Sequence, residues 1–173
     1  MYRVFITFTA AIAVCLSGCG SSEFDGDAIK VTLESTPISF SAEQVTLNDS
    51  QIDCGVRDEL WNAPSGNAGT LMQKGRDLKF TDDVRLNDPD VRLPYIQLSG
   101  TFPVVVSDVS RIRDDGPGAK LADVRLGIVI NQECFTSPLP VLGIRRGKFT
   151  PDAAVVFRFK GSGKEYSLDK LMH

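Results

Sequence analysis

The stretch 123–130, DVRLGIVI, decides how the chain is to be read. Val124, Leu126, Ile128 and Ile130 alternate with Asp123, Arg125, Gly127 and Val129. A period of two puts one apolar face on a strand and leaves the other to water or to a second layer. Outward from this segment, the same alternation recurs in AIKVTLE (28–34) through Ile29, Val31 and Leu33, and in RDLKF (76–80) through Leu78 and Phe80. It returns in YIQLSGTF (95–102) through Ile96, Leu98 and Phe102, and at Val155, Phe157 and Phe159. Turn-forming clusters separate these runs: Asn87-Asp88-Pro89-Asp90, Asp114-Asp115-Gly116-Pro117-Gly118, Ser137-Pro138-Leu139-Pro140 and Gly161-Ser162-Gly163. Short strands with such punctuation predict a mainly β fold, a single β-sandwich or partly open barrel-like domain. One segment breaks the pattern. In SQIDCGVRDELW (50–61), Ile52, Val56 and Leu60 recur every fourth residue, and Ser50 with Asp53 gives a capping signature, so one short helix is expected near 50–62.

The chain has 173 residues, 42% hydrophobic and 24% charged, enough for one domain of ordinary size with its own core. Its net charge of -3 argues against a nucleic-acid-binding face, which normally carries a basic excess. The single histidine is the terminal His173, so neither a histidine triad nor a His-ligated metal is expected. No cofactor, no metal site and no catalytic residue is read from the sequence, and a non-enzymatic role is the expectation.

The first residues point to a compartment. Met1, Tyr2 and Arg3 precede an apolar run, Val4 to Leu16, that is too short to span a hydrocarbon core of about 30 Å and reads as the core of a signal peptide. It ends in Leu16-Ser17-Gly18-Cys19. This resembles the lipobox of bacterial lipoproteins, in which the cysteine is acylated and becomes the mature N-terminus. The resemblance covers some twenty residues and leaves the family of the mature domain unrecognised. It implies a signal peptide over 1–18, a lipidated flexible tether over 19–27 and a mainly β periplasmic domain over 28–173. It also implies a lipid on Cys19 and an effectively permanent membrane anchor, since more than one acyl chain exceeds marginal membrane affinity. Gly20 after that cysteine, in place of the aspartate that retains such proteins in the inner membrane, favours the outer membrane with the domain facing the periplasm.

Cys15 then leaves with the signal and Cys19 carries lipid, so Cys54 and Cys134 are left to form one disulfide in an oxidising compartment. Other motifs fall short of chemistry. In Gly161-Ser162-Gly163-Lys164 a phosphate loop fails, because Arg158 stands where its first glycine belongs and Glu165 follows the lysine. Ser167-Leu168-Asp169-Lys170 matches S-x-x-K without its companion motifs. Asp82, Asp83, Asp114 and Asp115 could serve a carboxylate-based cell-wall hydrolase, but they sit in turn-rich stretches with Lys79, Arg85 and Arg92 interleaved to neutralise the first cluster. Two features could touch a protein partner: the basic turn Arg145-Arg146-Gly147-Lys148, suited to an acidic surface or phosphate, and Trp61, either core or interface anchor. The sequence therefore suggests a membrane-anchored protein-binding module, an immunity protein or inhibitor of an envelope-targeting effector, or an assembly factor of a secretion, pilus or outer-membrane machine. A hydrolase and a carrier of a hydrophobic ligand are the alternatives.

Overall fold

A computed structural model describes residues 24–162 and 165–172. In chain order the elements are helix α1 (Gly26–Glu34), strand β1 (Ile38–Thr46), helix α2 (Asp49–Arg57), β2 (Ala68–Gly69), helix α3 (Gln73–Asp77) and β3 (Val84–Arg85). There follow β4 (Tyr95–Phe102), β5 (Val104–Asp114), β6 (Ala119–Ile128), β7 (Leu139–Pro140), β8 (Gly143–Arg145), β9 (Lys148–Thr150), β10 (Val155–Ser162) and β11 (Glu165–Met172). The structure is mainly β, with antiparallel sheets and short helices, as a sandwich-like domain requires.

Two sheets carry the fold. One has the order β1-β4-β3-β2; the other runs β11-β10-β6-β5 with β7 added beside β6. The chain crosses between them at Pro103, the single residue separating β4 from β5. Proline cannot donate to a ladder, so the pairing that β4 makes ends there and the strand changes sheets. β6 bears out the alternation that led the reading: Val124, Leu126 and Ile128 are buried while Asp123, Arg125 and Gly127 are partly exposed. Its neighbours contribute Phe157 and Phe159 from β10, and Val104 and Val106 from β5, to one apolar core shared with Ile96 and Leu98 of the other sheet.

Two expected strands are overturned. AIKVTLE is a helix and not a strand. Ile29 and Leu33 are fully buried while Val31 is 68% exposed; a strand would turn all three to one side, and only a helix separates Val31 from the other two. Asp25 caps it by accepting from the Ala28 amide at 3.0 Å, and the Glu34 carboxylate accepts from the Val106 amide of β5 at 2.7 Å. RDLKF is not a strand either: α3 ends at Asp77, and Phe80 reaches Leu98 through one isolated bridge. At the start of the described residues, Phe24 is buried against Phe159 and Tyr166, with ring centroids 5.1 and 4.3 Å away. The expected helix near 50–62 is α2, but its cap is Asn48 paired with Gln51 rather than Ser50 with Asp53. Beyond the helix, Trp61 is fully buried and its Nε1 donates to the Ile52 carbonyl at 3.1 Å. Trp61 is thus core packing and no interface anchor.

Candidate basic hollow

Cys54 on α2 and Cys134 stand as a disulfide pair with Cα atoms 5.4 Å apart. Asp58, at the end of α2, accepts from Gln132 Nε2 at 3.0 Å. These cysteines and Asp58 are the group of metal-ligating chemistry among the described residues. With the sulfurs bonded to one another they offer no thiolate to an ion. Cys19 and the whole lipobox lie outside the described residues, as do Gly163 and Lys164 of the Gly-Ser-Gly-Lys motif; the strands flanking that motif pair as a hairpin with Ser162 opposite Glu165. No described helix is long and apolar enough to cross a membrane.

The acidic clusters are engaged in local structure. Asp83 accepts from the Leu71 amide at 2.9 Å, Asp82 accepts from the Asp83 amide at 2.8 Å and lies 3.7 Å from Arg85, Asp114 pairs with Lys120 at 3.2 Å, and Asp115 with Arg158 at 2.6 Å. Arg158 also holds Asp169 at 2.8 Å, the third residue of the S-x-x-K match. The arginine, with Lys160 beside it, keeps the Asp169 carboxyl below its usual range, and the two carboxylates raise the guanidinium further. Of the cations expected to neutralise Asp82 and Asp83, only Arg85 does so. Lys79 instead donates to the Thr101 carbonyl at 3.3 Å and lies over the Phe102 ring.

Arg92 goes elsewhere, and its position exposes the candidate site. Arg145, Arg146 and Lys148 occupy the tip of the β8–β9 hairpin, and with Arg92 and Asp90 they line a hollow of about 430 Å³. Behind it a small core of Val91, Tyr95 and Leu142, with Phe149 packed on it, fixes the 88–95 loop against the hairpin. That loop is held from within: Asp88 accepts from the Asp90 amide at 2.8 Å and from the Tyr95 hydroxyl at 3.0 Å. These donors, the Asp90 amide foremost, hold the Asp88 carboxyl below its ordinary range. Burial, reinforced by the hydrogen bond to Asp88, pushes the Tyr95 phenol up to about 12.

The hairpin itself is built against local preference. Arg145 and Lys148 are direct cross-strand partners, and like charges so placed destabilise a ribbon by some tenths of a kcal/mol to about 1. The connecting residues Arg146 and Gly147 have φ of 53° and 73°, the left-handed pair of a tight hairpin turn. Glycine adopts this freely; arginine does not, and Arg92 across the hollow is also left-handed at φ 60°. None of these four cations has an ion-pair partner among the described residues. The neighbouring hollow on the same hairpin sets Arg111, Arg125 and Arg145 among Asp108, Asp123 and Asp152, and there Arg125 meets Asp108 at 2.8 Å. At the tip, Arg92, Arg146 and Lys148, with Arg145 bordering both hollows, line a space that holds one aspartate, Asp90. An excess of unpaired positive charge on a braced platform can hold a carboxylate-rich or phosphate-bearing group.

The structure thus gathers Arg145, Arg146 and Lys148, sets Trp61 apart in the core, and adds Arg92 and Phe149, which the sequence reading did not assign. Nothing in the linear pattern ties Arg92 to the hairpin; the buried valine beside it, Val91, is the nearest signal. No protein-family model matches the chain, and no curated protein or solved structure resembles it significantly.

Proposed function

We propose that the protein is a lipid-anchored module of the bacterial envelope that grips an acidic surface of a partner protein through the Arg92–Arg145–Arg146–Lys148 hollow. The observation that supports this reading is four cations around one hollow, without an ion-pair partner among the described residues, in a chain whose net charge is -3. In such a chain an uncompensated basic patch, kept at a cost in backbone conformation and like-charge contact, marks a place where a negative partner restores the balance. The lipid on Cys19 would hold the domain at the outer membrane, facing the periplasm, where an inhibitor of an envelope-attacking effector or an assembly factor would meet its partner. The test is crosslinking of the full lipidated chain in cells. One stoichiometric protein should be recovered with the wild type and lost from an R145E/R146E/K148E chain that stays folded and membrane-bound. Equal recovery from both chains overturns the reading. C19A should leave the chain in the soluble fraction, and its retention in the membrane would remove the anchor from the proposal.

A further inference from the structure

Beside the basic hollow lies an apolar cleft of about 470 Å³, walled by Leu142, Ile144, Phe149, Val155, Val156 and Met172. Phe149 lines both spaces, so the cleft and the charged hollow adjoin at that side chain. On the hairpin ribbon Ile144 and Phe149 are cross-strand partners, and the register places Arg145 and Lys148 on the opposite face, so one small element presents apolar and basic sides together. Ile144 is 65% exposed, an unusual place for a large aliphatic side chain unless something covers it.

Another wall of the cleft is β1, from Ser41 to Gln44, with Gln97 of β4 beside it. β1 is the outermost strand of its sheet. On its outer side Val45 bridges to Val141 and the Leu142 amide donates to the Gln44 carbonyl at 2.9 Å. Over Ile38–Glu43 no strand lies on that side among the described residues. The strand bulges there, with Ala42 left-handed at φ 55°. Gln44 Oε1, in the same wall, is buried with no hydrogen-bond partner.

We propose that the partner enters as an extended peptide segment that pairs with the open edge of β1, seats an apolar side chain in the cleft and places acidic residues in the basic hollow. This rests on the acidic-partner reading above and adds how the partner is held. From Ile38 to the bulge the open edge calls for N–H donors and carbonyl acceptors. A peptide backbone supplies both; an acyl chain supplies neither. Charge complementarity sets the other half of the motif. From Ile144 to the turn at Gly147 is about 10 Å of strand, so the acidic residues should follow the apolar one by roughly three positions.

The experiment uses the lipidated chain in phosphatidylcholine nanodiscs and fluorescein-labelled peptides of about nine residues, roughly 30 Å when extended. One carries a Val/Thr alternation ending in a phenylalanine and then three glutamates; a second has lysines for the glutamates; a third is N-methylated on alternate amides. Fluorescence anisotropy should show saturable binding of the first alone. I144K and V156K should each weaken it about tenfold or more, as loss of a buried anchor does, and hydrogen exchange at residues 38–43 should slow on binding. Ile144 is exposed, so I144K keeps the test open even if V156K misfolds. If the glutamate peptide binds but is indifferent to I144K and to N-methylation, the strand-and-cleft mode is wrong while the basic-hollow reading stands. If no peptide binds and labelled palmitate binds in a V156K-sensitive way, the cleft is a lipid site and the proposal falls. If charge reversal at the hairpin alters neither peptide binding nor partner recovery, the underlying reading falls with it.

Discussion

Two regions of this molecule, the Cys54–Trp61 corner and the β8–β9 hairpin, answer to opposite demands. In the corner every neighbour constrains the next. Trp61, Phe80 and Phe135 meet edge-to-face or tilted with ring centroids 5.6 to 6.4 Å apart, the indole nitrogen is bonded, and the disulfide ties α2 to a residue 80 positions away. Gly55 is required there because a Cβ would collide with the Trp61 ring. In the hairpin and its hollow, by contrast, like charges oppose each other, an arginine holds a left-handed conformation and four cations have no ion-pair partner among the described residues. The first arrangement is what stability alone selects. The second is affordable only because the small Val91–Tyr95–Leu142 core braces it, and it leaves interaction capacity for something outside the chain.

The contrast can be broken most forcefully at the corner. C54A/C134A should cost about 4 kcal/mol, since the disulfide closes a long loop of the unfolded chain. Urea unfolding of the oxidised wild type against the double variant measures this; a cost below about 1 kcal/mol would mean the corner is held by packing alone. Next, G55A should cost about 3 kcal/mol through overpacking against a ring that cannot move. In the same unfolding experiment, a near-neutral G55A would show that the indole has room to shift.

At the hairpin the signs reverse. K148E turns the like-charged pair with Arg145 into an attractive one and should stabilise the fold by about 0.5 kcal/mol, an advantage that high salt erases, while weakening partner recovery. R146N should stabilise by a similar or smaller amount, about 0.5 kcal/mol, because Asn-Gly suits the turn that Arg-Gly strains. Destabilisation by either substitution would mean that the tip is not under the tension described.

The smallest effects concern pH. Tyr95 has a folded pKa raised from 10.0 to about 12, so the stability it contributes is complete below pH 10 and is lost as pH rises toward 12. Asp88 behaves in the opposite sense: its lowered pKa contributes above the ordinary 3.8 and is lost as pH falls through the folded value. Unfolding of the wild type and Y95F across pH 9 to 12 should therefore converge at the alkaline end, with the phenol absorbance of Tyr95 rising late. Parallel curves would show that the loop does not hold the phenol protonated.

Local spacing sufficed for the strands that hold 95–102, 124–128 and 155–159 and for a short helix near 50–62, found at Asp49–Arg57, and the expected Cys54–Cys134 pair stands at disulfide distance. The sequence by itself could not resolve AIKVTLE. Ile29 and Leu33 satisfy both a strand and a helix, and Val31, the residue that would separate them, is apolar yet faces water. Only the packing of Ile29 and Leu33 against the sheet, with Asp25 capping the first turn, settles that tie in favour of a helix. The same limit applies to the site. Arg145, Arg146 and Lys148 are contiguous in the chain and legible as a basic turn, whereas Arg92 joins them, and the open edge of β1 lies beside them, through contacts between residues far apart in sequence. Charge is a property of the residue, but whether it is neutralised depends on which distant side chains the fold brings within a few ångströms, and tertiary structure alone decides that.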